Sequence, residues 1–418
     1  MTTLITKYDL KNGGSTPTGA INRPINEKLN EWVSVKDFGA VGNGTTDDTA
    51  AVQAALNYML NTDYSGGTLY IPKGTYKLTS SLTVNLSGSH PYGHFTIQGD
   101  GLSTILYQTG ANQDVLKLTY YQAPPVVQDF WVGGMIVKGM SLICAPAAQD
   151  ALSIAGIIYS NFENLNCVGA RYSIYMQGVL GSTFVNVNAS RYLAQANPMT
   201  GVSSIAQPEN GLRAVQLTGV VGSTFSNNIN TIIGMAIDGC FSDGAVLSNM
   251  HRNTMEITVE DNDANGVNLY QDNNWNTLRV YGEANRGGYD LLVNQGQLNT
   301  ISILCSDNGS VQIGTGYSNR FYDSQIGTMI NTSSAVSTIF ENVQYAGAWT
   351  DSGLLSYYIN LRQGTLGTLG TLEKNANYIS GSGAPGPSSA FIGQEYLDTV
   401  GNAWYKSVSL SAWAQISN

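Results

Sequence analysis

NTMEITVEDND from Asn253, NTLRVYGEANR from Asn276 and NTISILCSDNG from Asn299 align without a gap, each starting 23 residues after the one before. Every segment opens Asn-Thr and then places apolar residues at alternate positions: Met255, Ile257 and Val259; Leu278 and Val280; Ile301, Ile303 and Cys305. Alternation at period two is a strand with one buried face. A fixed period of twenty-odd residues with one strand-bearing turn in each is the signature of a solenoid. A single coil of this kind cannot bury its own inner face. It must stack on the next, with like positions one above another at the roughly 4.8 Å spacing of paired strands. The repeat therefore predicts a parallel β-helix, and the same register predicts its surface. Glu256 lies over Arg279 and Ser302, Thr258 over Tyr281 and Leu304, and Glu260 over Glu283 and Ser306.

Composition agrees. Hydrophobic residues make up 42% of the 418 and charged residues 11%, about half the usual charged share, and there are 47 glycines. Such a chain has a polar but uncharged β surface. A solenoid grows by adding coils to one core, so the length does not require several globular domains. A net charge of −10 argues against a nucleic-acid partner, whose phosphates need a basic face. The cysteines Cys144, Cys167, Cys240 and Cys305 form no CxxC pair, and histidines are confined to His90, His94 and His251. Neither a zinc site nor any other cofactor is expected. Cys305 falls on an inward position and reads as a small core residue. MTTLITKYDLKNGG at the start has no apolar core of a secretory leader, and no stretch of 18 apolar residues occurs. The expectation is no secretory signal and no membrane insertion, with release by another route such as lysis if the protein acts outside a cell.

Upstream, residues 1–31 are polar with little periodicity, either a loose terminus or an arm that attaches to a larger assembly. Val33, Val35 and Phe38 suggest a strand, and Gly39, Gly42 and Gly44 turns. Thr46, Asp47 and Asp48 read as N-cap and first-turn residues of a helix whose apolar face is Ala51, Val52, Ala55, Leu56 and Met59. A helix here would plug the open end of the solenoid. GGTLYIPKGTYKL from Gly66 reads as strand, turn and strand.

These residues carry a family resemblance. Val35-Lys36-Asp37-Phe38-Gly39-Ala40, Gly42-Asn43-Gly44, Thr46-Asp47-Asp48-Thr49, Gln53-Ala54-Ala55 and Tyr70-Ile71-Pro72-Lys73-Gly74-Thr75-Tyr76 resemble the opening of the pectate-lyase-like superfamily, and within it bacteriophage tailspikes. The similarity spans roughly residues 20–110. It is specific for fold and weak for a site, because this segment is the family's end cap. It implies an all-β, right-handed parallel β-helix with an N-terminal capping helix. For tailspikes it also implies a homotrimer on a virion tail, attached to the tail or baseplate through the N-terminal arm, that binds and often cuts bacterial surface polysaccharide. The expected organisation is an attachment arm at 1–31, the β-helix at 32–349, and at 350–418 a linker and a small C-terminal β module for trimerisation.

Further along, Phe162, Phe184 and Phe225 each have an asparagine two residues on, at Asn164, Asn186 and Asn227, and read as three stacked strand openings. Between the second and third, residues 189–211 form an insertion that marks either the binding face or a subunit boundary. Asn319-Arg320-Phe321 and Ser337-Thr338-Ile339-Phe340 read as shorter coils. The pattern is lost at 350–376, and residues 394–406 read as a hairpin before a last strand through Trp413.

Ten of the forty residues from His251 to Asp290 are charged, more than twice the chain average. Glu260 and Glu283 share one outward register. Like charges at that spacing raise the pKa of one of them, and a protonated beside an ionised carboxyl is what glycosidic cleavage requires. Glu260 and Glu283 are the expected catalytic pair, with Asp261 and Asp263 as further catalytic candidates. Tyr281, Arg279, Trp275, Glu256, Arg252 and Asp290 are the expected substrate-binding residues. The same features also fit cross-coil ion pairs and turn residues on an ordinary polar surface. Three classes stand: an endoglycosidase of bacterial polysaccharide; a polysaccharide lyase using His251, Arg252, Tyr281 or Arg279; and a receptor-binding spike without catalysis.

Overall fold

The asparagines that open the repeats stand at a corner where the chain turns from one long sheet into the next. Residues 229, 252, 275, 298, 318 and 337, each just before a coil start, all have positive φ although none is glycine. Left-handed backbone costs a non-glycine residue roughly 1–2 kcal/mol, and a ladder of amides offsets that cost. The side-chain oxygen of Asn253 accepts from the backbone N–H of Asn230 (2.8 Å), that of Asn276 from Asn253 (2.9 Å), that of Asn299 from Asn276 (3.0 Å) and that of Asn319 from Asn299 (3.2 Å). All five asparagines are 1% exposed or less. The repeated Asn-Thr is thus a corner followed by the first strand residue.

The computed structural model describes residues 7–8, 18–19, 21–29, 32–60, 67–86, 96–119, 132–190, 208–215, 217–220, 223–306, 309–353, 356–364, 371–374, 378–381, 395–398, 403–409 and 412–417. Its main body is a parallel β-helix. One long sheet steps from Trp32–Ser34 through Thr68–Ile71, Thr96–Gly99, Ile136–Cys144, Asn161–Val168, Thr183–Ser190, Thr231–Asp238, Thr254–Glu260, Thr277–Glu283 and Thr300–Cys305 to Arg320–Tyr322, Ile339–Glu341 and Tyr357–Ile359. A second runs from Leu82–Asn85 through Leu152–Ala155, Ala245–Ser248, Val267–Gln271 and Leu291–Gln297 to Ser310–Tyr317 and Trp349–Asp351. Neighbours within each are parallel, and their inward side chains form one continuous apolar column. Its buried area is the main stabilising term, at about 25 cal/mol per Å².

The central register is the expected one. Thr254, Thr277 and Thr300 are partners, as are Glu256 with Arg279, Thr258 with Tyr281, and Glu260 with Glu283. Phe162 stacks on Phe184 at 4.7 Å, and Phe321, Phe340 and Tyr358 stack near the far end. Phe225 does not join the first pair. It ends a short strand, Ser223–Phe225, that pairs antiparallel with Leu217–Val220, and Ile232 takes the place under Phe184. Asn164 and Asn186 do bond to one another (3.3 Å), whereas Asn227 is buried at another corner, accepting from the Val179 N–H. Spacing from phenylalanine misplaced it because a side hairpin intervenes.

Helix Thr49–Met59 buries Val52, Ala55, Leu56 and Met59 against the first coils, as an end plug should. Of the expected first strand only Trp32–Ser34 is extended; Val35–Phe38 is a 3₁₀ turn capped reciprocally by Ser34 and Asp37. Asp47 accepts from the Thr49 N–H. Asp48 is 1% exposed and accepts from the Val41 and Gly42 N–H groups instead of its own helix. It fixes the glycine turn in which Gly42, at φ +67°, packs against the Tyr76 ring. The paired aspartates are therefore structural.

Coiling runs on past residue 349, because Tyr357–Ile359 and Leu361–Gln363 still pair with the preceding coil. Glycines and polar residues interrupt the period there, which hid these strands in the sequence. A separate sheet follows, in which Glu395–Asp398 and Ala403–Ser409 form the expected hairpin and Ala412–Ser417 pairs alongside. In the N-terminal arm, Lys7–Tyr8 pairs with Arg23–Pro24 and Ile25–Leu29 is a short helix, so its described parts have structure of their own. Most of the 189–211 insertion lies outside the described residues.

Candidate active site

Glu260 and Glu283 end adjacent strands at the same outward position, one strand spacing apart. Asp238 stands at that position one coil earlier, as the register partner of Glu260. Three carboxylates therefore form a ladder along the solenoid axis. Asp238 escaped the sequence reading because its strand carries a bulge. The pairing shifts between Ile232 and Met235, where Gly234 has a φ of +64°. Beyond the bulge the offset to the next coil is 22 residues and not 23. The recoverable signal was that the shorter step aligns Asp238 with Glu260.

Burial raises the Glu260 pKa first, and the charges of Glu283, Asp238 and Asp261 raise it further. The Tyr281 hydroxyl donates to Glu283 Oε2 at 2.7 Å and so orients that carboxylate. This bond is the largest of the effects that hold the phenol in its protonated form. The arrangement sets a carboxyl with a raised pKa beside a second carboxyl oriented by a hydroxyl, which suits general acid–base chemistry on a bound glycosidic bond.

The other candidates divide. Asp261, at φ +51°, and Asp263 sit in the turn after the strand, and Arg286 spans both at 3.1 and 3.8 Å. The Asp261 charge also raises the Glu260 pKa. Glu256 and Arg279 face each other across the coils and are exposed, with no ion pair between them among the described residues. Arg252 lies over the Trp275 ring at 5.4 Å, both at the asparagine corner. That corner is about 20 Å from the ladder, six strand steps of about 3.3 Å from Thr277 to Glu283. The set is thus two clusters, Tyr281 with the carboxylates and Trp275 with Arg252. His251 belongs near the second, its ring nitrogen 2.9 Å from the Asp272 carbonyl.

Asp290 is a correction. It is 2% exposed, its carboxylate accepting from Asn285 Nδ2 at 2.8 Å inside the solenoid. Gly282, the inward residue before Glu283, makes the room. A Cβ there would come within 2.6 Å of the Asp290 carboxyl carbon. Asp290 cannot touch a surface substrate. Burial, and then the Asp290 charge, push the Cys305 thiol up, in keeping with an inert core cysteine.

Residues 32–132 match the family model described as rhamnogalacturonase A/epimerase, pectate lyase-like. The fold is that of the pectate-lyase-like β-helices. Mannuronan C5-epimerase AlgE2 of Azotobacter vinelandii is 39% identical over 113 residues, which are 25% of this chain and 11% of that protein. The chain thus spans about a tenth of the length of that relative. Among solved structures, the gp42 tailspike of Acinetobacter phage vb_AbaP_AS12 has a TM-score of 0.52 at 13% identity, over 93% of this chain and 82% of that one. The Dettilon tailspike protein gp208 has a TM-score of 0.51 at 12% identity, over 83% and 69%. At these identities the likeness is one of fold.

The raised Glu260 pKa also has a consequence for stability. A carboxyl with a raised folded pKa contributes stability that is fully present below the unfolded value, about 4.3, and lost as pH rises through the folded value. Glu260→Gln is therefore expected to match the wild type near pH 4 and to exceed it at neutral pH. The gain should be at most about 1 kcal/mol after allowing for solvent screening, and should shrink at high salt. Unfolding midpoints of both proteins across pH, at low and high salt, check this.

Proposed function

We propose that this chain is a phage tailspike whose β-helix binds a bacterial surface polysaccharide and hydrolyses it within the chain. Glu260 serves as general acid and Glu283 as the partner carboxylate. The observation that carries this reading is the axial ladder of Asp238, Glu260 and Glu283, in which burial and the charges of both neighbours raise the Glu260 pKa and Tyr281 orients the Glu283 carboxyl. The tailspike folds among its structural neighbours support the same class. As parts of this proposal, the chain works as a homotrimer on the virion, residues 1–31 attach it to the tail, and the C-terminal sheet closes the trimer.

A lyase or epimerase is the second reading, favoured by the similarity to a mannuronan epimerase. Against it, His251 and Arg252 stand at the asparagine corner, away from Tyr281. Incubation with a panel of purified capsules and O-antigens, with sizing of the products, distinguishes these classes. New reducing ends without the ultraviolet absorbance of an unsaturated uronate are expected. That absorbance would establish elimination, an inverted uronate in the proton NMR spectrum at unchanged chain length would establish epimerisation, and retention of glycan with none of these changes would leave a binding spike.

A further inference from the structure

A groove of about 430 Å³ opens on the second long sheet, across the turn 261–266 from the carboxylate ladder, lined by Tyr270, Gln271, Asn294, Gln295 and Thr315. Its origin is a break in strand alternation. In Leu291–Gln297 the inward residues are 291, 293 and 296, so Asn294 and Gln295 are consecutive residues on the outer side. The next coil repeats this at 314–315, where Gln295 pairs with Thr315. On the coil before, the register slips between Leu247 and Ser248, and Tyr270 is the extra residue. A bulge of this kind re-aims a side chain, and Tyr270 is 52% exposed and lines the groove.

The floor is pre-organised. Asn294 Nδ2 donates to Asn268 Oδ1 (3.0 Å), and Asn268 Nδ2 donates to Asp243 Oδ2 (2.8 Å). Asn268 and Asp243 are both buried. This chain of bonds fixes the Asn294 amide plane and leaves its carbonyl oxygen for a ligand. The lining consists of three amides, the Thr315 hydroxyl and the Tyr270 phenol, with no charged side chain. Amides that both donate and accept, beside an aromatic face, match the vicinal hydroxyls and apolar face of a sugar ring. The volume is that of a small-molecule site.

We propose that this groove is a second carbohydrate site that grips uncharged sugar units of the polysaccharide away from the bond being cut. The proposal rests on the polysaccharide reading above and adds where, and what chemistry of sugar, the chain holds.

An array of purified capsules and O-antigens tests it, probed with full-length proteins that all carry Glu260→Gln, so that cleavage does not strip the glycan, alone or with Tyr270→Ala or Tyr270→Phe added. Adding Tyr270→Ala is expected to weaken retention of the bound polysaccharide about tenfold, and adding Tyr270→Phe to leave it at the level of Glu260→Gln alone. If Glu260→Gln binds equally with and without Tyr270→Ala, the groove is not a sugar site while the polysaccharide reading stands. If Glu260→Gln retains no glycan at any spot and the wild type releases none, that reading falls and this one with it. Because Tyr270 is exposed, its replacement leaves the core intact, and an unchanged unfolding midpoint for Tyr270→Ala verifies this.

Discussion

Glu260→Gln is expected to slow polysaccharide cleavage by about 10²–10⁴-fold while glycan is still bound, the range typical of a lost general acid. The substitution keeps shape and hydrogen-bonding capacity but removes the transferable proton. Glu283→Gln should have an effect of the same order, because Tyr281 would then orient an amide that can neither accept a proton nor attack. Asp238→Asn is the informative third variant. Its charge helps raise the Glu260 pKa, so neutralising it lowers that pKa. The acid must be protonated to act, and the alkaline limb of the kcat/KM profile should therefore move to lower pH, with the rate at the optimum little changed. Reducing-end release across pH for the three variants provides the measurement. Wild-type rates in both glutamine variants would remove the pair from the mechanism, and an unmoved alkaline limb in Asp238→Asn would detach the ladder from the Glu260 proton.

Much of this fold is legible because a solenoid converts sequence offset into spatial contact with one rule. The Asn-Thr openings and alternating apolar residues from Asn253 to Cys305 carry the register, and Glu260 and Glu283 follow from it as neighbours. The rule fails where a residue is added or a side chain leaves its expected face. Asp238 was hidden by the bulge at Gly234, which changes the step by one. Asp290 looked like surface charge because charge is scarce in this chain; that an inward glycine one coil wall away would open a pocket for it cannot be read from spacing. Trp275 and Arg252 were grouped with the carboxylates by proximity in sequence, yet a strand separates the two ends of a coil. The Tyr270 groove had no sequence signal beyond two consecutive polar residues where alternation calls for one.

The asparagine ladder gives the largest expected loss of stability from one side chain. In Asn276→Ala, the Asn253 N–H loses its 2.9 Å acceptor and the Met250 carbonyl loses its 2.7 Å donor from Asn276 Nδ2. Water cannot replace either group at a site 1% exposed. Each buried orphan costs about 1–3 kcal/mol, so a loss of about 4 kcal/mol is expected, together with the strain of the left-handed corner at Trp275 that the ladder no longer offsets. Asn276→Asp separates these causes. It keeps the acceptor for Asn253 but buries an ionisable group, whose pKa desolvation raises. Its stability should be nearest the wild type below the unfolded aspartate value of about 3.9 and fall as pH rises above it. Thr277→Ala, at the exposed neighbouring position, should stay within about 0.5 kcal/mol of the wild type. Denaturant unfolding of the full-length protein, at two pH values for the aspartate variant, measures all three. A wild-type midpoint for Asn276→Ala would mean that apolar stacking alone holds the coils in register, and the amide column would lose its place as the element that sets the repeat.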